Sequence, residues 1–152
     1  MRIEIERKFL VQGDAWRTDQ GVRIRQGYLN RDKERTVRVR IAGSKAFLTV
    51  KGVNTGASRT EFEYEIPVVD AEQLLLICEG PLIEKIRHTV ADAGMLWEID
   101  EFSGANEGLI VAEIELEREN QYWKRPAWLG EEVTDDPRYF NSNLCNHPYC
   151  TW

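Results

Sequence analysis

Between Arg2 and Val11, apolar and charged side chains alternate with the two-residue period of a β-strand. The charged positions run in the order Glu4, Glu6 and Lys8. Side chains at i and i+2 of a strand project to the same face about 6.5 Å apart, so two carboxylates can share a divalent cation. A lysine one pleat further on can then bind an anion. Alone, such a face is typical of the solvated side of a sheet, so the other segments decide its meaning.

Similar alternation recurs along most of the chain and predicts about eight strands in all. The pattern does not fix which face of the second strand points inward, because Gly27 can mark a β-bulge and Tyr28 can point to either side. The segments predicted as strands after the first one are 22–29, 35–41, 45–51, 58–67, 82–90, 95–102 and 109–119.

Two helices are predicted between or after these strands. Asp70 is in a position to cap the first one, with Gln73 at the capping-box position and residues 80–81, Gly-Pro, as its stop. A second, short helix is predicted to begin near residues 134–135, with Pro137 in its first turn. The first helix carries no obvious catalytic residues, so it is expected to pack over one end of the sheet.

The charges opposite the apolar positions are sorted by sign from strand to strand. A solvated face usually mixes in neutral polar residues and both signs, whereas these faces do not. The order is acidic at Glu4 and Glu6, basic at Arg38, Arg40 and Lys51, acidic at Glu61 and Glu63, basic at Lys85 and Arg87, and acidic at Glu98, Asp100, Glu113 and Glu115.

Eight strands with these faces inward would form a closed antiparallel β-barrel around a charged tunnel. The expected fold is α+β but mostly β, with a few short helices packed outside and a helix near the C-terminus. Desolvation costs several kcal/mol per ion, so such a tunnel must hold water, metal and a polyanion. A linear polyphosphate fits best, because Arg and Lys clamp phosphate oxygens while carboxylates hold Mg²⁺ or Mn²⁺.

Composition narrows the class of protein further. The 152 residues, 42% of them hydrophobic, can bury one core, so residues 1–152 are expected to form a single domain. The net charge of −6 argues against a nucleic-acid partner. With 26 Asp and Glu residues but two histidines, the chain suits a hard cation better than zinc.

The cysteines and the hydropathy pattern bear on the compartment. Cys78, Cys145 and Cys150 form neither a disulfide framework nor a C-x-x-C pair, so they are interpreted as reduced thiols. No stretch approaches about 18 uninterrupted apolar residues, and the chain opens without the apolar core of a signal peptide. A cytoplasmic protein without a membrane partner is therefore expected.

The charged motifs, taken in order, resemble those of the CYTH superfamily, also called triphosphate tunnel metalloenzymes. The resemblance begins at Glu4-x-Glu6-x-Lys8, continues through the paired charges of the later strands, and includes 130–134 and 138–141 near the C-terminus. The family includes inorganic triphosphatases, thiamine triphosphatases and class IV adenylyl cyclases, which act on triphosphates with a divalent metal. This compact chain most resembles the small bacterial inorganic tripolyphosphatases.

The resemblance implies roles for individual residues and a homodimeric state. Lys8, Lys85 and Glu6 would be catalytic. Contacts to the phosphates would come from Lys8, Arg38, Arg40, Lys51, Arg59, Lys85 and Arg87. Metal binding, or orientation of the attacking water, would fall to Glu4, Glu6, Glu61, Glu63, Glu98, Asp100, Glu113 and Glu115.

Several alternatives stay open at this point. Arg59 and Glu61 lie near a strand start and could belong to the rim, while Glu65 and Glu117 are expected to face solvent and His88 to pack among apolar groups. The substrate could be thiamine triphosphate, or ATP in a cyclase reaction. The chain could also bind polyphosphate without catalysis, or carry its charges on the outside of a plain barrel.

Overall fold

Eight strands close into an antiparallel barrel in the computed structural model, which describes residues 1–152, and a ninth strand extends it. The predicted eight-stranded barrel is thereby confirmed. Three short 3-10 turns lie at Gly104–Asn106, Pro137–Tyr139 and Tyr149–Thr151. The strands and α-helices are β1 (Arg2–Val11), β2 (Val22–Asn30), β3 (Thr36–Ala42), β4 (Lys45–Lys51), β5 (Ser58–Ile66), α1 (Val68–Leu76), β6 (Glu79–Asp92), β7 (Met95–Phe102), β8 (Ile110–Leu116), β9 (Leu129–Glu132) and α2 (Asn141–Leu144).

Strand β1 closes the ring, because it pairs along both of its edges. One edge pairs with β8, where Lys8 lies opposite Glu113. The other edge pairs first with β5, where Arg2 lies opposite Glu61, and then with β9 near Phe9. The order from β5 through β4, β3, β2, β6, β7 and β8 back to β1 therefore has no break.

Most of the hydrophobic core lies outside the barrel wall, because the charged faces of the strands point inward along most of their length. One cluster packs the outer side of β1, β7 and β8 beneath aromatic residues that include Trp16 and Trp128. A second fills one end of the barrel interior, where Ile83 and Val111 share the inward faces of their strands and lie in one cluster with the fully buried Leu144 of the C-terminal segment. A third lies between α1 and the strands β3 and β4. Each fully buried large apolar side chain contributes about 1.5–3 kcal/mol, so the wall is stabilised from outside and at one end of its interior.

Helix α1 begins earlier than the sequence pattern predicts. Val68 is its first residue and Pro67 occupies the N-cap position without a side-chain hydrogen bond, so Asp70 lies in the first turn instead of capping it. The chain turns into the helix directly from β5, since the carbonyl of Pro67 accepts the first helical hydrogen bond from the amide of Ala71. Gly80 and Pro81 do not stop the helix, which has already ended, and instead lie within β6.

The C-terminal region also differs from the prediction. The expected helix near residues 134–135 is a 3-10 turn at Pro137–Tyr139, in which Asp136 accepts from the amide of Arg138, followed by the four-residue helix α2. Strand β9 was not predicted, because its four residues pair with β1 alone and show no alternation.

The outer surface is not covered everywhere. On the adjoining strands β1 and β5, Ile3, Phe62 and Tyr64 are exposed, Tyr64 by 58%. The apolar faces of these two strands are therefore left uncovered at these three positions, although Phe9 of β1 is buried. None of the helices combines the length and the apolar character needed to cross a membrane.

Candidate active site

The inward side chains of the barrel enclose a polar cavity of about 340 Å³. All eight strands of the ring contribute to it, including β2 through Tyr28 and β4 through Lys51. Only three of its 24 lining residues are hydrophobic, whereas pockets for organic ligands are lined mainly by apolar groups. The cavity therefore suits a small, highly charged guest.

Strands β1 and β8 form an acidic wall in this cavity. Glu4, Glu6, Glu113 and Glu115 all lie along it. Burial, and then the neighbouring Glu113, raises the pKa of Glu6 even though Lys8 lies 3.2 Å from its carboxylate. Burial and the nearby carboxylates also raise the pKa of Glu115, although Arg2 opposes the shift. This wall thus holds more negative charge than its own cations neutralise.

Most of the lysines and arginines next to that wall are paired with carboxylates. The Lys8 ammonium donates to Glu113 at 2.9 Å, and the Lys51 ammonium donates to Glu4 at 2.9 Å. Glu113 and then Glu6 raise the pKa of Lys8 despite the desolvation caused by burial. Lys8 therefore stays protonated and can offer its remaining N–H groups to an anion.

Lys85 and Arg87 share one carboxylate deeper in the wall. Arg87 donates to both oxygens of Asp100, at 2.7 and 2.8 Å, and Lys85 donates to the second of them at 2.7 Å. The side chains of Lys85 and Asp100 are completely buried. Burial lowers the pKa of Lys85 to about 7, because the attraction of Asp100 offsets only part of the desolvation and of the repulsion by Arg87 and Arg40.

The opposite side of the cavity, on β3, carries two arginines that donate no hydrogen bond to a carboxylate, Arg38 and Arg40. The Nε of Arg38 is buried without a hydrogen-bond partner, and its Nη2 lies 3.8 Å from Glu63. Arg40 donates only to the neutral amide of Gln26, and burial and the neighbouring Arg38 lower its pKa. Arg59 lies on β5, across from Glu4 of the adjoining β1, and donates to two backbone carbonyls and to Thr36. A buried guanidinium without a counter-ion is costly, so this side is built for an anion.

A comparison of the sequence with known protein families identifies the family of this chain. The model of the CYTH domain matches residues 2–142. The chain belongs to the CYTH family. The resemblance in the strand motifs is thereby confirmed.

Known relatives of this CYTH domain are similar along almost the whole chain. An inorganic triphosphatase of Acetivibrio thermocellus is 55% identical over 148 residues, which is 96% of this chain and 95% of the relative. An inorganic triphosphatase of Nitrosomonas europaea is 39% identical over 145 residues, or 93% and 95% of the two chains. The crystal structure of an inorganic triphosphatase superposes with a TM-score of 0.67 at 37% identity and covers 95% of each chain.

Nearly all residues that the sequence marked as site candidates line the cavity of this CYTH domain. Glu61 is buried in the lining and Arg59 reaches it too, so neither lies outside on a rim. Asp100 is the exception, since it lies behind the lining with both oxygens bound to Lys85 and Arg87. The candidates that line the cavity are Glu4, Glu6, Lys8, Arg38, Arg40, Lys51, Arg59, Glu61, Glu63, Lys85, Arg87, Glu98, Glu113 and Glu115.

Other residues follow their predicted facing or were missed. Glu65 and Glu117 are exposed, and His88 is buried beside Trp16 on the outer side of the wall. Arg2, which the sequence did not single out, donates to Glu61 at 2.6 Å and lies 2.7 Å from Glu115. Asn141 and Gln26 were also missed as functional residues, because neutral amides carry no charge pattern.

The carboxylates of the CYTH cavity fit a hard divalent cation only in part. Their donors are oxygens, as Mg²⁺ and Mn²⁺ prefer, and the excess negative charge on β1 and β8 favours a cation. No three carboxylate, imidazole or thiolate side chains, however, converge closely enough to hold a metal ion by themselves. Mg²⁺ commonly binds through one or two carboxylates together with substrate phosphates and water. The donor set fits a metal that binds together with the phosphates.

Proposed function

We propose that this chain hydrolyses inorganic triphosphate with the help of a divalent metal ion, Mg²⁺ or Mn²⁺. The observation that carries the proposal is the division of one cavity into a wall with excess carboxylates and a side with unmatched arginines. A linear polyanion with bound metal complements both at once. The name of the 55% identical relative, inorganic triphosphatase, supports the same reaction.

In this proposal the cationic residues hold the phosphates. Arg38, Arg40 and Arg59 have N–H groups that are not engaged by carboxylates, so they bind the outer oxygens. Lys51 and Arg87 add contacts from the flanking strands. Together they neutralise the charge of the equatorial oxygens, which is the main requirement of phosphoryl transfer.

Glu4, Glu6, Glu113 and Glu115 are the residues that would hold the metal ion, which would supply charge neutralisation at the phosphates and a more acidic bound water. Glu6 also has a raised pKa, so it is the carboxylate best suited to orient the attacking water and accept its proton. Glu61, Glu63 and Glu98 lie further along the lining and would be additional ligands of the metal ion.

The lysines act by charge instead of as bases. Lys8 has a raised pKa, which makes it a permanent ammonium next to Glu6 and Glu113. Lys85 contacts the substrate with its remaining N–H, and an approaching phosphate favours its protonated form. Asp100 serves as the counter-ion that keeps Lys85 and Arg87 in place and is not part of the metal ligand set.

The experiment is release of phosphate from tripolyphosphate, ATP and thiamine triphosphate, each with Mg²⁺ or Mn²⁺. Preferential turnover of tripolyphosphate is expected, because the cavity offers few apolar surfaces for an organic group. Glu6→Gln and Glu115→Gln should each lower turnover by at least about 100-fold while the fold is retained. The exposed Glu117→Gln is the matched control. Binding without release would instead indicate a non-catalytic polyphosphate module.

We also infer the compartment, the oligomeric state and the partners of the protein. It acts in the cytoplasm as a homodimer, without a nucleic-acid or membrane partner. The exposed Ile3, Phe62 and Tyr64 on β1 and β5 form an apolar surface on which a second copy can pack. Light scattering on the wild type and on Tyr64→Lys tests the dimer, and a monomeric wild type would remove that part of the proposal.

A further inference from the structure

The C-terminal segment covers one end of the tunnel and inserts a polar side chain into it. Phe140, Asn141 and Ser142 line the cavity, and the segment is anchored by the buried Leu144 and Cys145, which belong to the apolar cluster at this end of the barrel. Lys85 and Gln26, the groups that Asn141 contacts, are 1% and 0% exposed. Asn141 therefore belongs to a part of the tunnel from which bulk water is excluded.

A chain of hydrogen bonds passes through Asn141 and runs along the neighbouring strands β3, β2, β6 and β7. The Asn141 side-chain oxygen accepts from Lys85 Nζ at 3.0 Å and from Gln26 Nε2 at 3.2 Å. The Gln26 oxygen in turn accepts from Arg40 Nε at 2.7 Å. On the other side, Lys85 continues to Asp100 and from there to Arg87.

The orientation of both amides follows from the chemistry of the cations at the two ends. Lysine and arginine have only donors, so Asn141 must present its oxygen to Lys85 and Gln26 must present its oxygen to Arg40. Gln26 then has its amide N–H left for Asn141, which matches the observed contact. The network is thus fully determined. Lys85 and Arg87 share Asp100, and Arg87 also lies near Glu98 and Glu113, whereas Arg40 contacts no carboxylate.

Lys85 has one N–H left after these contacts. Its ammonium donates to Asp100 and to Asn141, and its third donor is free for a ligand in the cavity. A carboxylate at position 141 would hold the ammonium equally well but would cancel its charge. A neutral acceptor positions the cation and leaves its charge available.

We propose that Asn141 is a positioning residue whose neutral amide fixes Lys85 and, through Gln26, Arg40, so that the covered end of the tunnel keeps an excess of positive charge for a terminal phosphate. This inference rests on the proposed function, since it takes a polyphosphate as the guest. According to this inference, the C-terminal segment organises the anion-binding end of the tunnel although it places no cationic residue in the cavity.

The test replaces the amide by a carboxylate of the same shape. Asn141→Asp keeps the acceptor oxygen for Lys85 and Gln26 but adds a negative charge among the three cations. The melting temperature of the ligand-free protein should rise by roughly 3 °C as repulsion is relieved. The Kd for tripolyphosphate without metal, measured by calorimetry, should rise at least about tenfold through repulsion at an effective dielectric near 20. A purely structural anchor would not raise the stability of the protein while weakening its affinity for the ligand.

Two further variants make the result specific. Gln26→Glu places the same charge beside Arg40 and should show the same pair of effects. Asn146→Asp adds the charge at an exposed position of the same segment and should change neither quantity. A Kd for Asn141→Asp within about twofold of wild type, or a lowered melting temperature, would overturn the inference. Wild-type turnover of tripolyphosphate tests the proposed function separately.

Discussion

Arg7 and Lys8 are consecutive cations on β1 whose side chains have different surroundings. Arg7 lies on the outer side, where it donates to both oxygens of Glu132 and stacks on Trp123. Lys8 lies in the cavity between Glu6 and Glu113. Adjacent residues of a strand point to opposite faces, so two chemically similar residues are expected to differ in function.

Alanine substitutions should separate these roles. Lys8→Ala is expected to lower kcat/KM for tripolyphosphate by about 10²- to 10³-fold, because it removes a charge-assisted contact in a confined site. Arg7→Ala should stay near wild type in activity and lose at most about 1 kcal/mol of stability with its partly exposed ion pair. Steady-state kinetics and thermal unfolding measure both. A larger loss of activity for Arg7→Ala would mean that the charged face is not the inward one.

Lys85 predicts a pH effect on ligand binding. Its pKa in the free protein is about 7, so at pH 8 most molecules carry a neutral Lys85. A bound polyanion raises that pKa, and binding should therefore take up protons at pH 8. Calorimetry in two buffers of different ionisation enthalpy measures the uptake. Lys85→Arg should remove it, since arginine is protonated in both states; an unchanged uptake would assign it to another group.

The same shift predicts how the stability of the ligand-free protein changes with pH. Between about pH 7 and the usual lysine pKa of 10.5, the unfolded chain binds a proton at Lys85 that the folded chain does not. The free energy of unfolding contributed by this group therefore rises with pH across that window. Comparing chemical denaturation of the wild type and Lys85→Met at pH 7 and 9 checks the sign, and a steeper rise in the variant would contradict it.

At the scale of elements, the packing of α1 and β6 on β2 depends on Gly27. A Cβ at this position would lie 2.7 Å from Leu82 Cδ2 and 2.9 Å from Cys78. The register between β2 and β6 also shifts here, as Gln26 pairs with Ile83 but Tyr28 pairs with Glu79. The additional residues belong to β6, so Gly27 makes room for its irregular start.

Gly27→Ala should therefore destabilise the fold without removing activity. Overpacking of this kind costs about 1–3 kcal/mol, which lowers the melting temperature by several degrees. Because the new methyl group would lie on the outer side, turnover per folded molecule should be retained. An unchanged melting temperature would show that Cys78 and Leu82 can move aside.

The strands of the ring could be predicted because alternation is a local property of the sequence. The same property could not reveal β9, which has four residues, or the start of α1, where Pro67 and the turn from β5 override the cap expected at Asp70. Such features depend on tertiary contacts, and local patterns do not contain them.

Within the site, the alternation of side chains along a strand indicates which face a residue lies on but not how deep it lies in the tunnel. Asp100 points inward as expected, yet Lys85 and Arg87 cover it. Arg2 belongs to no charged motif of the sequence, and only the pairing of β1 with β5 places it next to Glu61. Asn141 reaches Lys85 from 56 residues further along the chain, and no local signal marks that contact.

For the whole molecule, the crowding of like charges predicts a strong response to ligand. The unmatched arginines repel each other, as do the carboxylates on β1 and β8, and both groups gain partners when metal and polyanion bind. A ligand at about 100 times its Kd adds about 2.7 kcal/mol of stability. Tripolyphosphate with Mg²⁺ should then raise the melting temperature by about 5–10 °C. A thermal scan without any shift at millimolar ligand would contradict the tunnel as the binding site.

The ring closure described for β1 has a consequence for how the chain folds. Lys8 and Glu113 are 105 residues apart in sequence, so the first strand made must wait for one of the last before its β8 edge can pair. Pairing across such a distance is slow compared with a hairpin such as β3–β4. Until β1 pairs with β8 the charged faces stay in water, so the free-energy cost of their desolvation arises when the barrel closes. Ionic strength, which screens exposed charges beyond about 10 Å, should therefore affect barrel closure more than the formation of the hairpins that precede it.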